Sequence, residues 1–294
     1  MPNAKMLLSS LRSVGYTEET AIADIVDNSI SSGANTIQLY FDWDDQTILI
    51  ADNGKGMQKK ELLDSMKIGS SDPGITRSAS DLGRFGMGMK TASFSLGKQL
   101  LVITKQKDEI NNAEWNLEYV ENEDKWEILI HSDEKIDTYI KSKTDKIEFQ
   151  NWDEGTLISL SMLDKLIDEN NMQKSKVKFY KTVEKVKKHL AMIFHRFIEE
   201  DNLQIYVNKN LLEAWNPFIR QNPATMELAC EELFDGKTIV SIEPYILPHK
   251  TKFEDEEAFK KAGGAKDWLT HQGFYVYRNR RLIVYGTWFG KFKK

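Results

Sequence analysis

Hydrophobic and polar positions along the first half of the chain follow two alternating periods. Ala21, Ile22, Ile25, Val26 and Ile30 recur at helical spacing, with Thr17 as N-cap, Glu18 and Glu19 in the first turn and Gly33 at the end. A shorter helical stretch over 4–14 precedes them. Period-two patterns then predict strands over Thr36–Trp43 and Thr47–Ala51, parted by the acidic turn Asp42–Asp45. Lys59–Lys67 reads as helix, and Gly69–Leu82, rich in Ser, Gly and Asp, reads as a mobile loop. Helical spacing returns from Met87 to Gly97. Strand patterns follow at Gln99–Lys105, Ala113–Val120, Lys125–His131 and Thr156–Ser161, and the polar stretch 106–151 predicts solvated hairpins and loops.

A composition shift begins near Asp164. Residues 172–199 predict one long helix with seven lysines between Lys174 and Lys188. Strand patterns recur at Leu203–Val207, Lys237–Pro244 and Gly273–Ile283, the last a hairpin turning at Arg278–Arg280. The order predicts two domains, 1–168 and 169–294. The second reads as truncated, because the chain ends on Phe292-Lys293-Lys294 just after a strand pattern.

Composition narrows the class. The 294 residues are 40% hydrophobic and 29% charged with a net charge of -5, ordinary for a soluble globular protein. Cys230 is the only cysteine, which excludes an intrachain disulfide, and none of the five histidines has zinc-site spacing. There is no run of 18 apolar residues and no signal-peptide pattern, so no membrane association is expected and a reducing cytoplasm is the expected compartment. The lysine-rich helix reads as a solvated face ahead of a nucleic-acid surface, since Glu184 and the acidic total oppose a strong positive field.

Three segments carry candidate chemistry. Asp24, Asn28 and Ser31 stand at spacing 0, 4, 7 and share one helical face, placed where a buried stripe is expected. The Asn28 amide oxygen suits Mg2+, which takes few protein ligands and fills its shell with phosphate and water. Asp24, one turn earlier, can take the proton of a water attacking a terminal phosphate. Taken alone, both also fit solvated residues near a helix end.

Asp52 can accept from an exocyclic amine and so select adenine, or close an Asx-turn at a strand end. Gly54 and Gly56 permit close approach of backbone to a ligand or relax the turn. Gly83, Gly86 and Gly88 precede a helix that starts with Met89, Lys90 and Thr91, an arrangement suited to anions. Neither a βαβ unit nor a GxxxxGK[ST] run surrounds these glycines, which excludes Rossmann and P-loop sites.

In this fixed order (acid–amide helix, Asp-x-Gly-x-Gly, loop with GxxGxG, then Gly155-Thr156) the sequence resembles the GHKL ATPase superfamily with its Bergerat fold. The resemblance covers roughly residues 1–165. It implies an α/β (α+β) two-layer sandwich, with a mixed sheet and helices on one face, followed by a smaller α/β transducer-like domain.

It also implies roles. Asn28 would bind Mg2+, Asp52 adenine, and Thr156 would assist Asp52 through water. Gly54, Gly56 and Met57 would flank the base. Gly83, Gly86, Met87 and Gly88 would belong to an ATP lid near 69–88, and Met89, Lys90 and Thr91 would lie near the phosphates. The general base would be Asp24, where the family usually has glutamate, which implies slow hydrolysis of ATP to ADP and phosphate. The glycine motif and the hairpin Phe274–Ile283 look closest to bacterial MORC-like members of the gyrase, MutL and chaperone branch. That implies an ATP-dependent homodimer, a clamp acting on DNA or a protein client. The alternatives are a chaperone-like remodelling ATPase and a nucleotide-sensing module with little hydrolysis.

Overall fold

Apolar alternation builds a seven-stranded mixed sheet in the computed structural model, which describes residues 8, 11–13, 15–68, 88–234, 236, 238–264 and 268–290. The first half contributes β1 (Thr36–Asp42), β2 (Thr47–Asp52), β3 (Gln99–Gln106), β4 (Glu109–Asn116) and β5 (Gly155–Ser161). Two further strands, β6 (Gln204–Val207) and β7 (Asn210–Leu211), join the far edge, giving the order β4-β3-β5-β2-β1-β6-β7. Every pairing is antiparallel except β1 with β6, which is parallel in the register Thr36↔Gln204 to Leu39↔Val207.

All six residues of β2 are buried, as a central strand covered on both faces requires. On one face Leu49, Ala51, Leu101, Ile103 and Leu157 pack under α5 (Asp133–Lys141) and the turn at 147–149, through Ile136, Ile140, Ile147 and Phe149. The other face lies under α1 (Glu18–Ser31), the helix that brings Ser29 onto Asp52. Helix α1 begins as its sequence demands. The Thr17 hydroxyl accepts from Thr20 N, Thr20 Oγ1 accepts from Thr17 N at 3.0 Å, and Gly33 leaves the helix at φ +83°. The α2 (Lys59–Met66) and α3 (Gly88–Leu96) helices follow. Of the stretch expected as helix over 4–14, Leu8, Leu11 and Arg12 are described and helical.

The chain divides into two compact units, Met1–Leu190 with Phe197–Glu213, and Ala191–Arg196 with Ala214–Lys294. The division falls later than 168/169. The long helix α6 (Met172–Ile193) buries Phe179, Val183, Val186 and Leu190, and the chain beyond it returns to extend the first unit's sheet through β6. Along the lysine face, Lys187 pairs with Glu184 at 2.9 Å and Lys178 donates to Lys165 O at 2.5 Å.

Two expected strands are replaced. Ala113–Val120 is half strand, because Asn116 ends β4 and caps α4 (Leu117–Glu123), its side-chain oxygen accepting from Glu118 N and Tyr119 N at 3.1 Å. Lys125–His131 makes only a bridge, Leu129 to Glu114. The stretch 106–151, expected as hairpins and loops, thus holds β4, α4 and α5. Ile136 and Ile140, four residues apart, supply the apolar stripe that makes α5 pack rather than stay solvated.

The second unit consists of short antiparallel ribbons, β8 (Met226–Glu227) with β11 (Tyr245–Ile246), β9 (Glu231–Phe234) with β10 (Ile239–Ile242), and β12 (Phe274–Arg278) with β13 (Arg281–Thr287). Helix α7 (His195–Glu200) begins on its first segment, and α8 (Glu256–Ala262) lies between the last two ribbons in the chain. The hairpin expected around Arg278–Arg280 forms and runs on to Thr287. Asn279 (φ +48°) and Arg280 (φ +70°) occupy its two-residue turn, where both positions need positive φ. Phe218 stacks on Tyr245 at 4.4 Å and lies edge-on to Tyr275.

Candidate functional site

Strand register builds the floor of the site. Asp52 on β2 pairs with Thr156 on β5, and Thr156 pairs with Thr104 on β3, so three polar residues lie in one row across the sheet. All three are buried. The same face of these strands is otherwise apolar, carrying Ile48, Ile50, Val102, Ile158 and Leu160. Thr104 Oγ1 lies 3.3 Å from Thr156 Oγ1 and donates to Gly155 O at 3.1 Å.

Each carboxylate oxygen of Asp52 is engaged. Oδ1 accepts from Gly54 N at 2.9 Å, which is the Asx-turn, and Oδ2 accepts from the Ser29 hydroxyl of α1 at 2.8 Å. Burial pushes the Asp52 carboxyl above its usual range, against the opposing pull of Ser29, the Gly54 and Thr156 amides and Ser32. A turn alone needs no such burial: Asp52 is only 4% exposed.

The turn after Asp52 is held from both sides. Asn53 Oδ1 accepts from Thr36 N at 2.9 Å and Asn35 N at 3.1 Å, and Lys55 N donates to Ser32 O at 3.1 Å. On the other side Met57 N donates to Thr104 Oγ1 at 2.8 Å and Gln106 Nε2 donates to Lys55 O at 2.8 Å. A Cβ on Gly54 would overlap Ser32 Oγ, and one on Gly56, which sits at φ +62°, would overlap Lys105 O. Both glycines are therefore required by close approach, and Gly56 also by its backbone conformation.

Helix α1 supplies the wall. Its buried side is Ala21, Ile22, Ile25, Val26 and Ser29, so the 24/28/31 stripe is not the buried one: Asn28 and Ser31 are exposed and Asp24 half-buried. The polar residues that do go inward are Ser29 and Asp27. Asn28 thus presents an amide one turn beyond Asp24 on an open face. Asp24 Oδ2 accepts from the Tyr16 hydroxyl at 2.7 Å.

Across from it stands the start of α3, where a Cβ on Gly88 would lie 4.0 Å from Asp24 Oδ2. Lys90 is 2% exposed, shares a recess with Leu11, Ile68, Thr91 and Phe94, and donates to Ser65 O at 2.5 Å. That apolar burial lowers Lys90 to about 8.

The structure brings together Asp24, Gly88 and Thr91 at one end, and Asp52, Gly54, Gly56, Met57 and Thr156 around the row, while the Lys90 ammonium is directed to Ser65 O. Met57 and Met89 are half-buried. Gly83, Gly86, Met87 and the expected lid up to residue 87 lie outside the described residues. Ser29, Thr104 and Tyr16 are additions that the motifs did not announce. Ser29 had one signal, a hydroxyl on the apolar face of an amphipathic helix.

Residues 16–153 match the family described as "Histidine kinase-, DNA gyrase B-, and HSP90-like ATPase". They form a GHKL ATPase domain. Within that family the GHKL domain has MORC-like relatives at modest identity. It is similar to "ATPase morc-1" of Caenorhabditis elegans, 33% identical over 118 residues that make up 38% of this chain and 13% of that protein. Against "MORC family CW-type zinc finger protein 3" of Mus musculus it is 28% identical over 109 residues, 35% of this chain and 11% of that protein. Against "ATPase MORC2B" of Mus musculus the figures are 27% over 93 residues, 30% and 9%. The chain therefore spans roughly a tenth of the length of each of these relatives. The GHKL family implies ATP as ligand. Among the described residues no helix is long and apolar enough to cross a membrane, and no three His, Cys, Asp or Glu side chains form a group that could hold a metal ion.

Proposed function

We propose that this chain binds Mg-ATP between α1, the row Asp52–Thr156–Thr104 and the start of α3, and hydrolyses it slowly. The observation that carries the reading is Asp52, a buried carboxylate at the end of an apolar sheet face, with glycines on the turn beside it. Such an acceptor suits an exocyclic amine at the bottom of a cleft. Asn28 fits Mg2+ because its amide is exposed one turn from Asp24. With no carboxylate cluster among the described residues, the ion would arrive with the nucleotide's phosphates and waters. When bound, it would supply charge neutralisation at the phosphates.

Gly88, Met89 and Thr91 would face the phosphates from the start of α3, Lys90 would reach them by leaving Ser65 O, and Gly83, Gly86 and Met87 would belong to the lid. Asp24 would take the proton from a water whose oxygen bonds to the terminal phosphorus as the bond to the ADP oxygen breaks. ATP titration with Mg2+ and phosphate-release assays test this directly. Asp24→Asn is expected to retain ATP binding within about threefold and to lose roughly 100-fold or more in turnover. Turnover equal to the native chain would remove Asp24 as base.

Lys90 gives a pH dependence. Its ammonium is present at pH 7 and is lost as pH rises through about 8. ATP affinity is therefore expected to fall several-fold between pH 7.5 and 9, and Lys90→Met to flatten that profile. A fall that persists in Lys90→Met would assign it elsewhere.

The biological reading we propose is a MORC-like clamp that dimerises on binding ATP and acts on DNA or a protein assembly. The MORC-like relatives support it. A non-hydrolysable ATP analogue should double the mass measured by light scattering; an unchanged mass favours the alternative of a nucleotide-sensing module, for which the short Asp24 side chain speaks.

A further inference from the structure

Tyr16 stands just before the N-cap of α1 and belongs to none of the motifs that point to the nucleotide. Its hydroxyl nevertheless donates to Asp24 Oδ2 at 2.7 Å, eight residues further on. The Thr91 hydroxyl of α3, which donates to Gly88 O at 3.3 Å, lies beside the same phenol. Phenol, carboxylate and the first turn of α3 therefore meet at one place, where a Cβ on Gly88 would be in ordinary contact with Asp24 Oδ2. Burial and the neighbouring Asp24 push the Tyr16 phenol up to about 12, so it remains a donor at any working pH.

The need for such a contact follows from length. Aspartate is one methylene, roughly 1.5 Å, shorter than glutamate. A base that reaches less far depends more on being aimed, since a misplacement on the order of 1 Å costs about 100-fold in rate.

We infer that Tyr16 is the positioning residue for Asp24: its phenol holds Oδ2 and ties the carboxylate to the start of α3, fixing the direction from which a short base meets the attacking water. The inference rests on Asp24 being the base. Tyr16 acts through Asp24, so removing its oxygen alone should change turnover and spare binding.

The test uses the full chain with Mg-ATP and measures kcat and ATP Kd for Tyr16→Phe, Asp24→Asn, Asp24→Glu and the two double variants. Tyr16→Phe is expected to lower kcat about 10- to 100-fold with Kd within about twofold. On the Asp24→Asn background the same change should cost nothing further, the non-additivity of residues acting as one unit. On the Asp24→Glu background, where the extra methylene moves the carboxylate off the phenol, it should cost under about threefold.

A kcat unchanged by Tyr16→Phe, an equal fractional loss in all backgrounds, or a parallel loss of ATP binding that marks a merely structural role would each overturn the inference. The base reading fails separately, and takes the inference with it, if Asp24→Asn turns over like the native chain. Should Tyr16→Phe alone not fold, the Asp24→Glu pair decides: an undiminished tenfold loss there overturns the inference, and a loss under threefold upholds it.

Discussion

Asp52→Asn is expected to weaken ATP binding roughly 30- to 150-fold while the chain stays folded. The acceptor removed is a buried, charged one, and hydrogen bonds to charged groups are worth about 2–3 kcal/mol in such settings. Where the amide would point is set by its neighbours. The Gly54 N–H cannot turn, so the amide oxygen must stay on it, and the NH2 then falls toward Ser29, whose hydroxyl can rotate to accept. The Gly54 and Ser29 contacts are kept, and the nucleotide loses an acceptor.

Stability moves the other way. A carboxyl raised above its usual range by burial is one whose ionised form the fold tolerates at a cost, and that cost is present at neutral pH and relieved as pH falls. A neutral amide removes it, so the melting temperature of Asp52→Asn should be unchanged or higher. Calorimetric titration and thermal melting on one preparation read both effects. Undiminished ATP affinity would remove Asp52 from the base-binding site.

Gly56→Ala is expected to be strongly damaging. Its φ of +62° costs an L-residue about 1–2 kcal/mol, and the added Cβ would overlap the Lys105 carbonyl of β3. Relief requires the turn to move away from β3, breaking the Met57 N to Thr104 Oγ1 bond. Together these predict a loss of about 3 kcal/mol or more, a drop of roughly 6–12 °C in melting temperature. Gly33→Ala is the comparison: it shares a positive φ (+83°) with open space around it, so it should lose only about 1 kcal/mol. Equal losses at the two sites would show that backbone conformation, and not close approach, decides.

Much of the site was legible because it is built from local signals. A capped amphipathic helix, a strand running into Asp-Asn-Gly and a glycine before a helix each announce themselves within ten residues, and α1, β2 and α3 stand where they were expected. The side that α1 buries was read less well. Counting from Asp24 places Asn28 and Ser31 on one face correctly, but only the sheet decides that this face stays open while Ser29 turns in.

Thr104 was illegible for the same reason: a threonine on β3 acquires meaning from its register with Thr156 and Asp52, strands that are far apart in sequence. The stretch 106–151 misled because its polarity hides the Ile136–Ile140 stripe of α5. The late division of the chain was hidden because nothing before residue 204 signals that a further strand will pair with β1.

That last strand has a consequence for how the protein is made and handled. The outer side of β1 is completed only by residues 204–207, some 160 positions further along. During synthesis β1 can pair with β2 at once, but its outward backbone donors and acceptors must wait until the ribosome has released everything through β6. A fragment cut at 168 would keep that wait permanently and present a bare strand to its neighbours, an invitation to edge-to-edge aggregation. A minimal domain that keeps β1 covered should therefore run to about residue 213, past the short edge strand β7.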